Sequence, residues 1–334
     1  MLVQLILELA GDHPELPFAE LDLIGPVLEK NVQVAIVECT RPREVQRLAL
    51  AHSAMEYLGS CDADRDAFET MIRDLSLSSP RPFAGRVKKI FGSTMDDPEP
   101  DLERLIGAGI SGKVNLQNPE EEFRAVISGS RCYFGRVIWR SDPRRFADRR
   151  PGDRPFFHPG VMMPRMVRAL LNISCTREGE TLLDPFCGTG GMIMEAQMLG
   201  IRAVGSDIDP FMVRGSRLNL EKGDILLADV RNLPFPSASF DTVVTDLPYG
   251  QSSSIRAESL DSLYRNALEE ITRVLKPRRR AVLVTHRDIR DLASNFLEVA
   301  GCYSQRVHKS LTRHILVLEK TGIHGREKHR VPRT

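Results

Sequence analysis

The reading of this chain turns on Thr181-Leu182-Leu183-Asp184-Pro185-Phe186-Cys187-Gly188-Thr189-Gly190-Gly191. A short apolar run, Leu182-Leu183, ends in Asp184 and opens into a loop with three glycines. Met192-Ile193-Met194-Glu195-Ala196, which follows, has helix-forming composition. The stretch therefore predicts a strand, a glycine turn and a helix. Glycines suit a turn where a ligand approaches the main chain closely at a helix N-terminus, at φ values that a Cβ disfavours. That fits a nucleotide-like cofactor. The loop is not Gly-x-Gly-x-x-Gly, however, and glycine-rich first turns also occur in α/β proteins with no chemistry at them.

The residues beyond the loop narrow the choice. Ala203-Val204-Gly205-Ser206-Asp207 predicts a second strand ending in an acid. It lies about 20 residues past the glycines, where a carboxylate accepts ribose hydroxyls. Leu226-Leu227-Ala228-Asp229 predicts a third such strand, its acid placed to meet the exocyclic amine of an adenine. Phe240 to Asp246 predicts a fourth, running into Leu247-Pro248-Tyr249-Gly250. Ligands of open α/β sheets bind at the carboxyl ends of the strands, so four strand-terminal carboxylates describe one cleft.

Asp246-Leu247-Pro248-Tyr249 carries the chemistry if the cofactor donates a methyl group. The lone pair of an exocyclic nucleobase amine is delocalised into the ring, so transfer needs a partly pyramidal nitrogen. A carboxylate and a backbone carbonyl that accept both N–H bonds favour that geometry and stabilise the growing positive charge. Asp246 supplies the first and Leu247 the second, while Pro248 stiffens the turn. Tyr249 offers a stacking face for a base that has left its own stack. Pro and Gly form strand-end turns in any case. What favours the chemical reading is the register of this turn with Asp184, Asp207 and Asp229. Cys187 reads as a packed member of the loop, since no histidine is placed to activate its thiol.

The 334 residues are too many for one typical core, and 42% hydrophobic with 27% charged residues is an ordinary water-exposed composition. Six scattered cysteines form no Cys-x-x-Cys pair, so neither a metal knuckle nor a disulfide framework is expected, and a reducing cytoplasm is the simplest compartment. The first residues lack a basic leader segment, and no run approaches a membrane span. The net charge of +1 hides an asymmetry: residues 1–60 hold 4 basic and 9 acidic side chains, 124–168 hold 11 and 3, and 276–334 hold 14 and 5. Two cationic segments imply a polyanionic partner. Within the first, Arg131, Arg136, Arg144, Arg145, Arg149 and Arg150 are the candidate nucleic-acid contacts.

In chain order, strands are expected at 2–9 and 32–37, with helices at 18–28 and 44–58. A second α/β unit follows, with helices at 68–75 and 102–106, strands at 83–90 and 113–116, and a hairpin of 123–127 with 132–139. Trp139 reads as core rather than as a base-stacking platform. Residues 141–157, rich in Arg, Asp and Pro, read as a linker. Beyond it come a helix at 164–172, the four strands above, a helix at 260–275, a strand at 281–285, a helix at 289–300 and a hairpin of 303–309 with 314–319. The tail, 321–334, looks disordered.

With these motifs in view, the chain resembles the archaeal tRNA guanosine-10 N2-methyltransferases, whose members carry an N-terminal THUMP domain. The glycine loop, Asp246-Leu247-Pro248-Tyr249-Gly250, Arg154-Pro155-Phe156-Phe157-His158-Pro159-Gly160 and Ser310-Leu311-Thr312-Arg313 carry the resemblance across nearly the whole chain. It implies an α/β protein with a C-terminal Rossmann-like methyltransferase sheet (158–320) that ends in an antiparallel hairpin. A small ferredoxin-like α/β module (1–58) and a THUMP domain (59–140) precede it. It also implies S-adenosyl-L-methionine as donor, tRNA as partner, and a THUMP module holding the acceptor end. The expected cofactor contacts are His158, Pro159, Asp184, Phe186, Cys187, Gly188, Thr189, Gly190, Gly191, Asp207, Ile208, Asp229, Val230 and Asp246. A monomer is expected, with no metal and no membrane. Mono- or dimethylation and the need for a small activator protein stay open. Related enzymes have Asp/Asn-Pro-Pro-Tyr/Phe, so Leu247 removes a φ restraint and keeps the carbonyl. Three other readings compete. One is a ribosomal RNA or DNA amino-methyltransferase, another a different tRNA guanosine, and the third a tRNA-binding protein without turnover. The four intact carboxylates oppose the last.

Overall fold

Strand register explains most of the architecture in the computed structural model, which describes residues 2–250, 260–308 and 311–322. Ser310 and residues 323–334 of the expected disordered tail lie outside the described residues. The chain divides into two units, Met1–Phe146 and Ala147–Thr334, and the boundary falls inside the stretch read as a linker.

The first unit is one seven-stranded sheet. Its strands are β1 (Val3–Leu9), β2 (Val27–Asn31), β3 (Val34–Cys39), β4 (Ala51–Asp62), β5 (Phe83–Lys89), β6 (Glu121–Ser128) and β7 (Arg131–Arg140), in the order β2-β3-β1-β4-β7-β6-β5. Among these strands only β5 and β6 pair in parallel. The helices are α1 (Leu16–Ala19), α2 (Arg65–Asp74) and α3 (Glu99–Gly109). Phe68 and Ile72 of α2 and Leu102 and Ile106 of α3 pack on Phe83, Phe123 and Phe134 of the sheet. Asp64 caps α2 by accepting from the backbone N–H groups of Asp66 and Ala67, both at 3.0 Å. Trp139 packs against the core cluster of Leu5, Leu7 and Val37, as expected.

Three expectations fail in this unit. The helix expected at 44–58 is a 3₁₀ turn (Pro42–Arg47) followed by β4. Ala, Leu and Met favour helix by only tenths of a kcal/mol per residue, and β4 makes hydrogen-bond ladders to β1 and β7 on both sides. The module boundary at residue 58 therefore falls inside a central strand. The helix at 18–28 shortens to α1 and a 3₁₀ turn, because Val27 to Asn31 pairs with β3. Residues 113–116 form only an isolated bridge, from Val114 to Phe83.

The second unit contains α4 (Pro164–Ile173), β8 (Thr181–Asp184), α5 (Gly191–Met198), β9 (Arg202–Asp207), α6 (Pro210–Asn219), β10 (Asp224–Leu227), β11 (Thr242–Asp246), α7 (Leu260–Val274), β12 (Arg280–Thr285), α8 (Arg290–Ala293), β13 (Glu298–His308) and β14 (Leu311–Glu319). The sheet order is β10-β9-β8-β11-β12-β14-β13, parallel through β12 and antiparallel in the last two strands. Strand order reverses between β8 and β11, and a crevice opens at such a point. The helix expected at 289–300 is only α8, because Glu298 and Val299 pair with Glu319 and Leu318. Among the described residues no helix is long and apolar enough to cross a membrane.

Candidate active site

The glycine turn takes the form read from its sequence. Gly188 and Gly190 have φ of +48° and +82°, conformations that a Cβ disfavours, and Gly190 is the residue preceding α5. The turn is tied down on two sides. The Asp207 carboxylate accepts the Gly188 N–H on one oxygen and the Asp209 N–H on the other, both at 3.0 Å. Asn219, at the end of α6, donates to the carbonyls of Phe156 (2.8 Å) and Thr189 (2.9 Å) and accepts the Phe156 N–H. One amide thus joins the segment of Phe156 to His158 to the glycine turn.

Asp184, Asp207 and Asp246 end β8, β9 and β11. Asp229 lies two residues beyond the last residue of β10, not at its end. Asp184 is 3% exposed and accepts the Thr245 hydroxyl at 2.6 Å. Burial, reinforced by the like charges of Asp207 and Asp246, pushes its carboxyl up to about 7, against the lowering effect of Thr245 and the Phe186 N–H. Burial also raises Asp207. Such desolvated carboxylates favour a cationic ligand over none. Asp229 differs: Arg231 binds both its oxygens, at 2.6 to 3.0 Å, and holds its carboxyl below the ordinary range. An adenine amine would have to share Asp229 with Arg231. Ile208, just after Asp207, is 52% exposed and offers an apolar face, whereas Val230 and Cys187 are buried. Burial pushes the Cys187 thiol up, so it is no nucleophile. His158 and Pro159 are exposed, and His158 Nδ1 lies 3.0 Å from the Pro159 carbonyl.

At the end of β11, burial raises the Asp246 carboxyl to about 6, and Tyr249 and Arg313 act against that rise. Tyr249 does not simply present a face. Its hydroxyl donates to Asp246 Oδ1 at 2.8 Å, and its ring lies 5.1 Å from that of His286, tilted by 42°. Leu247 is buried, and its N–H donates to the Val284 carbonyl at 2.9 Å. The Pro248 carbonyl accepts the Tyr264 hydroxyl at 2.7 Å. The carbonyl already used is therefore that of Pro248, not the one assigned to an incoming amine.

Sequence reading missed a cluster behind the loop. Glu195 of α5 is fully buried and accepts from Arg149 (2.7 Å) and Arg168 (2.7 Å), whose side chains are 12% and 10% exposed. Arg154 donates to the Arg149 carbonyl at 3.0 and 3.2 Å, and its own Nη1 is buried without a hydrogen-bond partner. A Cβ at Gly191 would stand 3.1 Å from that nitrogen. Spacing could not reveal contacts between residues 27 and 46 positions apart.

The candidate nucleic-acid cations differ in their surroundings. Arg149 is held inward by Glu195. Arg145 donates to the carbonyls of Gln46 and Leu48 and lies over the rings of Trp139 and Phe146, so it braces its own unit. Arg131 pairs with Asp62 and Glu29, and Arg136 with Glu56 and Glu121. Arg144 and Arg150 remain exposed, the Arg144 side chain lying 3.6 Å from that of exposed Asp142.

The chain is similar to known methyltransferases. The family model described as RMKL-like, methyltransferase domain matches residues 151–315. The tRNA (guanine(10)-N2)-dimethyltransferase of Methanothermobacter thermautotrophicus is 34% identical over 95% of this chain and 100% of its own length. That of Pyrococcus abyssi is 31% identical over 93% and 98%. Among solved structures, TrmN from Thermus thermophilus matches with a TM-score of 0.50 at 22% identity, covering 95% of this chain and 99% of that one.

Proposed function

Since the chain belongs to the tRNA (guanine(10)-N2)-dimethyltransferase family, we propose that it methylates the exocyclic N2 of the guanosine at position 10 of tRNA, with S-adenosylmethionine as donor. The observation that carries this reading is the placement of Asp246, partly buried at the end of β11, beside Asp184 and the glycine turn where the strand order reverses.

The residues present fit such a donor. The orphaned Arg154 Nη1 beside Gly191 suits a carboxylate, the desolvated Asp184 suits an ammonium, and Asp207 with Ile208 suits a ribose and the ring beyond it. When bound, S-adenosylmethionine supplies an electrophilic methyl group. Asp246 accepts one N–H of the guanine amine and the Leu247 carbonyl the other, which orients the nitrogen lone pair and stabilises the charge developing on nitrogen. Asp246 Oδ2 is the oxygen that Tyr249 leaves available. A monomethylated amine keeps one N–H, so one of the two acceptors suffices to orient it for a second transfer. The first unit, Met1–Phe146, is the proposed tRNA-docking part and contains the THUMP domain of the resemblance. Labelled donor incubated with total tRNA, ribosomal RNA and duplex DNA tests this reading. Label confined to guanosine N2 of tRNA supports it, and label on adenine or on the other acceptors overturns it.

Asp207→Ala is expected to weaken donor binding by about 1.5–3 kcal/mol, the range for hydrogen bonds to a charged group. Asp207→Asn, which keeps one acceptor for the loop, should lose less. Calorimetry that finds Asp207→Ala at parental affinity contradicts the ribose role. For tRNA, reversing Arg144 and Arg150 to glutamate should reduce the slope of log affinity against log salt by about 1–2, since each phosphate contact contributes nearly one unit. An unchanged slope removes both residues from the docking surface.

A further inference from the structure

Arg313 enters the cleft from an unexpected direction. Strands β8 to β12 are parallel and end at the crevice, whereas β14 runs against β12, with Thr285 opposite His314. The first residues of β14 therefore stand at the crevice edge. There Arg313 is 8% exposed, its Nε donating to the Tyr249 hydroxyl oxygen and its Nη2 to the Gly160 carbonyl, both at 3.4 Å. The Tyr249 hydroxyl in turn donates to Asp246 Oδ1. A buried guanidinium thus sits one hydroxyl away from the proposed catalytic carboxylate.

We propose that Arg313 is a positioning residue for methyl transfer: acting through Tyr249, it keeps the Asp246 carboxylate ionised and turned so that one oxygen faces the incoming amine. The inference rests on the assignment of Asp246 as the amine acceptor. A protonated Asp246 cannot accept an N–H on its hydroxyl-bearing oxygen with comparable strength and gives the developing cation no charge. Burial drives Asp246 toward that state, with a carboxyl raised to about 6. The groups around it do not all help. Asp184, from the end of β8, is a like charge. Tyr264, from α7, directs its hydroxyl to Pro248 and carries no charge, its phenol raised to about 12 chiefly by burial. His286, packed on the Tyr249 ring, is held below its usual range by burial and by Arg287 and His314, which favours its neutral form. Among the described residues Arg313 is the cation acting directly on Asp246, and the Tyr249 hydrogen bond adds to it.

The test follows the Asp246 carboxyl resonance against pH in full-length protein labelled on aspartate, with Asp246→Asn assigning the signal, alongside single-turnover methylation of tRNA. In Arg313→Gln the ionised fraction at a given acidic pH should fall about threefold to tenfold, and the acidic limb of the rate should move up with it. At alkaline pH the rate should recover to within a few-fold of the parent. Arg313→Lys should restore both curves in large part. Tyr249→Phe, which leaves Arg313 in place, should shift the resonance in the same direction and so guards against a folding defect in the first variant. An unshifted resonance in folded Arg313→Gln, or a rate lowered equally at every pH, overturns the proposal. An active Asp246→Asn overturns instead the acceptor assignment on which it stands.

Discussion

Replacing Asp246 with alanine is expected to lower the single-turnover rate of methyl transfer by more than about tenfold, and nearly to abolish it, while donor affinity stays within a few-fold. The asymmetry follows from placement. Asp246 meets the acceptor amine, and its contribution grows only as charge develops on nitrogen, so its loss belongs to the transition state rather than to the ground state. The pH dependence has a definite sign. Asp246 acts as the carboxylate and its folded-state pKa is raised to about 6 by burial, so the rate should fall as pH drops through about 6 and level off above it. For stability the sign is opposite. A carboxyl whose pKa rises on folding contributes stability below its unfolded value, and that contribution is lost as pH rises through about 6. A quench experiment with bound donor and excess tRNA separates the two parameters. An alanine variant that retains more than about a tenth of the rate contradicts the assignment.

Replacing Glu195 with alanine is expected to destabilise the second unit by about 3–5 kcal/mol, because the buried Arg168 would lose its carboxylate partner and Arg149 would lose the buried one of its two, keeping exposed Asp148. The effect should reach the cofactor site. Arg154 hangs from the Arg149 carbonyl beside Gly191, so a loosened Arg149 should also weaken donor binding. Glu195→Gln keeps one acceptor and should lose less. Urea unfolding of the three proteins measures the difference. A midpoint unchanged in Glu195→Ala would show that the two arginines find other partners.

What could be read from the sequence was local. The glycine turn, Asp184, Asp207 and Asp246 were legible because strand alternation, a terminal acid and glycines at fixed offsets are properties of neighbouring residues. Their convergence followed from the general rule for open sheets. The strand at 51–62 was not legible, since its helix-like composition is overridden by two neighbours whose pairing no window contains. The sequence places Tyr249 three residues after Asp246 but cannot give the direction of its hydroxyl, which depends on Asp246 and Arg313 together. The arginines show the same limit. Six looked alike as a charge run, yet Arg145 and Arg149 make inward contacts and Arg131 and Arg136 pair within their own sheet.

The most direct measurement uses an unmodified tRNA transcript and a second transcript in which the guanosine at position 10 is replaced by adenosine, each incubated with labelled S-adenosylmethionine and digested to nucleosides. The account predicts N2-methylated guanosine from the first transcript, none from the second, and, at early times, less than about a tenth as much from the first with Asp246→Ala. Label on the second transcript, or more than about a tenth of the early label on the first surviving the Asp246 substitution, would contradict it.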